Sequence, residues 1–179
     1  MVGAEFRSRT QPAQASWTCG GRGYRRWEKS TTLGSGTELW EWVTTEVMRW
    51  GVKTRSGFSV SPASAVTVGI RPLITARAFG VSIREPVEVV EVVQTSDRVG
   101  FAYRTLAGHP VSGEEAFIVH RDHEHVVLTI RSLARAADHS RWRFAFPVLL
   151  LAQKVARRRY MRALRGTVAG EREASSSRS

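Results

Sequence analysis

Apolar residues recur every second position through the middle of the chain and every third or fourth position towards its two ends. From Val52 to Arg135 the alternating segments predict strands over Val52–Val60, Ala65–Ile70, Ile74–Ile83, Val87–Gln94, Val99–Leu106, Glu114–Arg121 and Val126–Leu133. Pro62, Pro72, Pro86 and Pro110 punctuate them, and Asp97 and Asp122 mark further turns. In the last segment Val126, Leu128 and Ile130 share one face, which suits a sheet with one covered and one wetter side. An earlier strand is expected within Tyr24–Leu33. Gly34-Ser35-Gly36-Thr37 breaks it, and Ser35 or Thr37 can cap a helix. Leu39, Val43, Val47 and Trp50 then recur at spacings of 4, 4 and 3, one face of a helix that Gly51 closes.

A second helix is expected from Pro147 to about Arg165. Leu149, Ala152, Ala156, Tyr160 and Ala163 form its apolar stripe, and Lys154, Arg158, Arg162 and Arg165 form a basic stripe opposite. Residues 1–23 and 167–179 are polar and aperiodic. Both are read as disordered, dispensable ends flanking one domain over residues 24–166. The element order predicts an α+β domain: a curved antiparallel sheet of six to seven strands gripping a long C-terminal helix, with one short helix after the first strand. That order resembles the helix-grip fold of START and Bet v 1-like proteins. A sheet of this width curls, and a helix can cover its concave side. By fold analogy an apolar cavity is expected between them, with Phe101, Tyr103, Thr105 and Tyr160 towards a ligand.

Charge changes this picture little. Of the net +11, +4 falls in residues 1–26 and +6 in residues 153–179, leaving +1 for everything between. Arg outnumbers Lys 24 to 3. The basic stripe is read as a solvated helix face or as a contact for phosphate. An anionic lipid surface ranks above nucleic acid, because the aromatic and basic interleaving of an RNA-reading sheet is missing from the strands. The single cysteine, Cys19, excludes an internal disulfide and fits a reducing compartment. The first thirty residues lack an apolar signal core, and the longest apolar run, Phe144–Ala152, has nine residues. A cytoplasmic location is expected.

One segment combines more special residue types than any other: GFAYRTLAGHPVSGEEAF, Gly100–Phe117. It reads as two strands joined by a Gly-His-Pro connection. The run resembles the signature of the bacterial and plant domain-of-unknown-function family "nineteen-ninety". The tryptophan-rich first helix and Gln153, Arg157 and Tyr160 extend the likeness over Tyr24–Leu164. Arg104 stands where that family's pattern implies a small or neutral residue. The resemblance implies a domain and supplies no agreed substrate, cofactor or reaction.

Within the signature, His109, Glu114 and Glu115 admit two readings. In one they are an acid–base site at a cavity rim, since imidazole titrates near neutral pH and a carboxylate can orient it. In the other they belong to a hairpin connection from Ala107 to Gly113, with a Glu bonding loop amides or an Arg. The second is preferred. His120, His123 and His125 straddle a predicted hairpin tip, so they are read as a solvated turn and no metal is expected. Phosphate-cradling glycine loops, nucleophile elbows and Cys pairs are absent from the sequence, and no cofactor is expected. The leading expectation is therefore a binding module for a small apolar or amphipathic ligand. An enzyme built on His109, Glu115 and Tyr103 is the runner-up.

Overall fold

The computed structural model describes residues 8–18, 23–78, 81–136 and 154–165. Seven strands form one antiparallel sheet: β1 (Arg25–Ser35), β2 (Phe58–Ser61), β3 (Leu73–Ala78), β4 (Val81–Gln94), β5 (Arg98–Thr105), β6 (Val111–Asp122) and β7 (His125–Ala136). Their order is β1-β7-β6-β5-β4-β3-β2. Helices α1 (Thr37–Val47) and α2 (Gly51–Thr54) join β1 to β2, and residues 154–163 form helix α3. The expected start of this last helix at Pro147, with Leu149, Ala152 and Gln153, lies outside the described residues, as do Cys19 and residues 167–179.

The core lies on the concave face. Phe101 of β5, Phe117 and Val119 of β6, and Val126, Leu128 and Ile130 of β7 form one buried cluster with Trp40, Val43, Val47 and Trp50, and with Tyr160, Met161 and Leu164 near the C-terminal end of the described chain. Alternation in the sequence assigns these faces correctly, because each strand turns every second side chain inwards. A bulge between Val89 and Glu91 bends β4 and helps the sheet curl.

Two boundaries differ from expectation. The helix after β1 stops at Val47, and Val52–Val60 is not one strand but α2 followed by β2. The cause is Trp50, whose backbone adopts φ 63° and turns the chain. Its indole is fully buried, edge-on to Phe101 at 4.8 Å. Packing of a large ring holds a backbone that a non-glycine residue rarely adopts. Ala65–Ile70 is irregular chain with one turn at Val68–Gly69 rather than a strand, and Ile74–Ile83 divides between β3 and β4.

The convex face is covered too, by a segment expected to be disordered. Residues 8–18 lie against it, with Ser8, Thr10 and Trp17 buried. Glu114 accepts bonds from the Ser8 hydroxyl, the Arg9 N–H at 3.1 Å, the Thr10 N–H at 2.8 Å and the Thr10 hydroxyl at 2.6 Å. Arg131, 1% exposed, donates to the carbonyls of Gln11, Gln14 and Ala15 at 2.6–3.0 Å and to Glu28 at 2.8 Å. Polar bonds to an irregular backbone hold this arm, so no apolar period announces it.

Candidate functional site

Directly opposed residues on neighbouring strands share a face, so the pairing sets out the concave surface in rows. Ile130, Phe117 and Phe101 form an apolar row. The next row is polar: Trp27 of β1, Ser132 of β7, Glu115 of β6 and Tyr103 of β5. Beyond it stand Ala134 and Gly113, with Thr105 beside them. Small side chains in that outer row leave room. The result is a cavity of about 640 Å³ between the sheet, α2–β2 and α3, within the size range of small-molecule sites.

Gly113 matters here for closeness rather than for dihedral freedom. A Cβ at this position would stand 1.9 Å from the Leu133 carbonyl oxygen. Gly108 is the residue that uses a positive φ, 91°, in the turn between β5 and β6. The connection is Leu106–Pro110, shorter than expected because β6 begins at Val111.

At the cavity wall sits Lys53, whose side chain is 4% exposed. Trp50 sets its place, since the Lys53 N–H opens α2 by bonding the Trp50 carbonyl at 2.9 Å. The ammonium donates to the Tyr160 hydroxyl at 2.7 Å and lies 3.1 Å from Glu115 Oε2. The Tyr103 hydroxyl donates to the same carboxylate oxygen. Rings of Phe58, Tyr103, Phe117 and Tyr160 surround Nζ at 4.8–5.7 Å. Such ring faces favour a cation.

These contacts decide the charges. Burial by itself lowers the Lys53 pKa, but Glu115, then Tyr103, Tyr160 and Glu85, reverse this and hold it well above its ordinary value. Burial pushes the Tyr103 and Tyr160 phenols up, and Glu115 adds to both, so they stay neutral. Burial also raises Glu85, against the pull of Lys53. His109 is depressed to about 3, by burial first and by the Lys53 charge second. Its Nδ1 accepts the Val111 N–H at 3.0 Å, which puts the ring proton on Nε2, 4.0 Å from Glu85 Oε2.

The expected site residues thus separate. Tyr103, Thr105, His109, Glu115 and Tyr160 all line the one cavity. Phe101 does not: it lies beneath, packed on Trp50, Tyr103 and Phe117. Glu114 sends its carboxylate to the convex arm rather than to its own loop or an Arg. His109 does not titrate near neutral pH, and among the described residues its ring faces Glu85 rather than Glu115. Lys154, Arg158, Arg162 and Arg165 are exposed along α3 and its end, where Arg165 reaches the Thr31 hydroxyl. His120 bonds Thr129 at 3.0 Å, and His123 is 93% exposed at the β6–β7 tip.

Sequence reasoning missed Lys53, Glu85 and the cavity-lining role of Arg157. Lys53 carried one signal. In a chain that draws on Arg for nearly all its positive charge, a Lys beside Gly51-Val52 in an apolar stretch is an unusual choice. An ammonium is the more compact of the two cations, with three donors on one nitrogen.

Residues 9–163 match the family described as Domain of unknown function (DUF1990). The chain belongs to that family. The DUF1990 match takes in the arm from Arg9 onwards, the whole sheet and α3 up to Ala163. A UPF0548 protein of Deinococcus radiodurans is 42% identical over 77 residues, which are 42% of this chain and 38% of the relative, so the likeness spans well under half of that protein. Among solved structures, the hypothetical protein jhp0584 of Helicobacter pylori aligns with TM-score 0.55 at 11% identity, over 78% of this chain and 85% of the other. Ara h 8.0201 aligns with TM-score 0.50 at 10% identity, over 79% and 99%. TTHA0849 of Thermus thermophilus aligns with TM-score 0.50 at 12% identity, over 78% and 97%. At these identities the likeness shows the fold alone. It supports the curved antiparallel sheet that the element order predicts; of the long helix expected to lie against that sheet, the described part is α3. No helix among the described residues is long and apolar enough to cross a membrane.

Proposed function

We propose that this domain binds a small amphipathic molecule in the cavity between sheet and C-terminal helix. The observation that carries the reading is the cavity itself: about 640 Å³, with an apolar surround and the Lys53–Glu115–Tyr103–Tyr160 group at one wall. An apolar space with a few convergent polar groups suits selective binding. The fold partners support it in outline only.

An acid–base role for His109 and Glu115 has less support. His109 is neutral down to about pH 3, and Glu115 is already engaged by Lys53 and Tyr103. Contact between the exposed basic side of α3 and an anionic lipid surface is a second reading. Exposed Val155 beside Lys154 and Arg158 favours it, and nucleic acid ranks below it. Co-sedimentation with anionic but not neutral vesicles tests that reading.

The cavity reading is tested with purified full-length protein and the neutral apolar dye N-phenyl-1-naphthylamine. Dye fluorescence should rise with saturable binding. Ala76→Trp, which places an indole in the cavity lining, should abolish the rise without lowering the melting temperature by more than a few degrees. No saturable uptake, or uptake unaffected by Ala76→Trp, would remove the basis for the reading.

A further inference from the structure

Arg157 is the cavity residue whose chemistry is left incomplete. Its guanidinium carbon lies 4.3 Å from the Trp27 ring centre. One of its terminal nitrogens donates to the Ser132 hydroxyl at 3.3 Å, a long bond. Its Nε is buried and has no hydrogen-bond partner among the described residues. Among the described residues no carboxylate stands within ion-pair distance of it, yet it lines the cavity. Two of the nearby carboxylates are committed elsewhere, Glu115 to Lys53 and Tyr103 and Glu114 to the arm, and burial shifts the third, Glu85, towards its neutral form. Arg157 is half-buried, and Glu115, already shared by Lys53 and Tyr103, acts on it only from beyond ion-pair distance, so burial outweighs its attraction and the guanidinium, which cannot escape by losing its proton, lacks a close counter-ion.

The same wall is rich in donors and poor in free acceptors. An ammonium has three N–H donors, and Tyr160 and Glu115 take two of those on Lys53. Tyr160 accepts from Lys53, and its own hydroxyl proton has no acceptor among the described residues. The His109 Nε2–H is 4.0 Å from Glu85, beyond hydrogen-bond reach. Arg77 and Arg159 add positive charge to the lining. A cationic ligand would meet repulsion here, and an acceptor-bearing anion would meet partners.

We propose that the cavity takes an apolar molecule bearing one anionic oxygen group, a carboxylate or a phosphate monoester, with Arg157 as its counter-ion and Trp27 and Ser132 holding the guanidinium for it. Arg matches either group with two parallel N–H bonds. This rests on the cavity-binding reading and adds the charge and place of the ligand's polar end.

The test uses full-length protein and three probes with the same ten-carbon tail: decanoate, decyl phosphate and decanol, each titrated below its aggregation limit with tryptophan fluorescence as readout. Decanoate or decyl phosphate should bind at least about ten-fold more tightly than decanol, the scale of one charge-assisted pair. The tighter of the two identifies the oxyanion. Arg157→Gln should reduce the preference to less than about two-fold, with a melting temperature within a few degrees of wild type to report an intact fold. Arg157→Lys should fall between. Lys154→Gln, which removes an exposed charge from the same helix, should leave the preference in place. Equal binding of all three probes, or a preference that survives Arg157→Gln or vanishes equally in Lys154→Gln, overturns this inference and leaves the cavity reading standing. If none of the three binds while N-phenyl-1-naphthylamine does, this inference falls and the cavity reading stands; if the dye fails as well, both fall.

Discussion

Lys53 and Glu115 stabilise each other at a depth where neither charge is comfortable alone. Replacing Lys53 by Met leaves the carboxylate facing aromatic rings, and the expected loss is about 3–5 kcal/mol. In the double variant Lys53→Met/Glu115→Gln more than half of that loss should return, because the stranded charge is gone. Urea denaturation of the three proteins reads this directly, and a single-variant loss below about 1 kcal/mol would mean that Glu115 reaches water. His109 gives a pH signature of its own. Its folded pKa of about 3 lies below the ordinary 6.5, so below pH 6.5 the unfolded chain takes up a proton that the native ring refuses. Stability therefore falls as pH falls through this window. Between pH 6.5 and 5 wild type should lose about 1.5 kcal/mol more than His109→Gln. Glu85 works in the opposite direction, since burial raises its pKa, but it is common to both proteins and cancels in the comparison. Equal pH dependence in wild type and His109→Gln would show that the ring is solvated.

At the scale of elements, the strands were legible and the arm was not, for one physical reason. Leu128 sits in a strict alternation that makes one face of β7 apolar, and it is fully buried against the cluster that includes Tyr160 and Leu164. Leu128→Ala should cost about 2–5 kcal/mol in chemical denaturation. A loss of a few tenths would mean that α3 does not cover that face. Residues 8–18 have no such period, because carboxylate and guanidinium groups bind their backbone and a single indole, Trp17, supplies most of the apolar contact. Local sequence carries no trace of an acceptor that comes from Glu114, far along the chain. The same limit hid Lys53. Its flanking residues read as one strand, and only the buried ring of Trp50 turns α2 so that the ammonium reaches β5, β6 and α3. The signature residues were recognisable as a group, but which of them turns towards the cavity depends on strand pairing. Thr10→Ala removes a buried hydroxyl bonded to Glu114 at 2.6 Å and should cost about 1–2 kcal/mol. If instead stability is unchanged in both Thr10→Ala and a protein lacking residues 1–18, the arm is dispensable after all.

At the scale of the whole molecule, a single strand carries contacts for both faces of the sheet. β6 shows Glu115 to the cavity and Glu114, one residue earlier, to the arm. Consider β6 displaced by one residue against its neighbours. Side chains then exchange sides, since the pleat repeats every two residues. Displaced one way, Glu114 takes the place beside Lys53, and Gly113 stands where the arm needs an acceptor. Displaced the other way, Glu115 can hold the arm, but Ala116 faces Lys53 and the ammonium has no counter-ion. Two ordinary glutamates, side by side and wanted by opposite faces, thus act as an alignment key: each misthreaded sheet betrays itself by a stranded charge or an unclasped chain end, and only the native threading satisfies both.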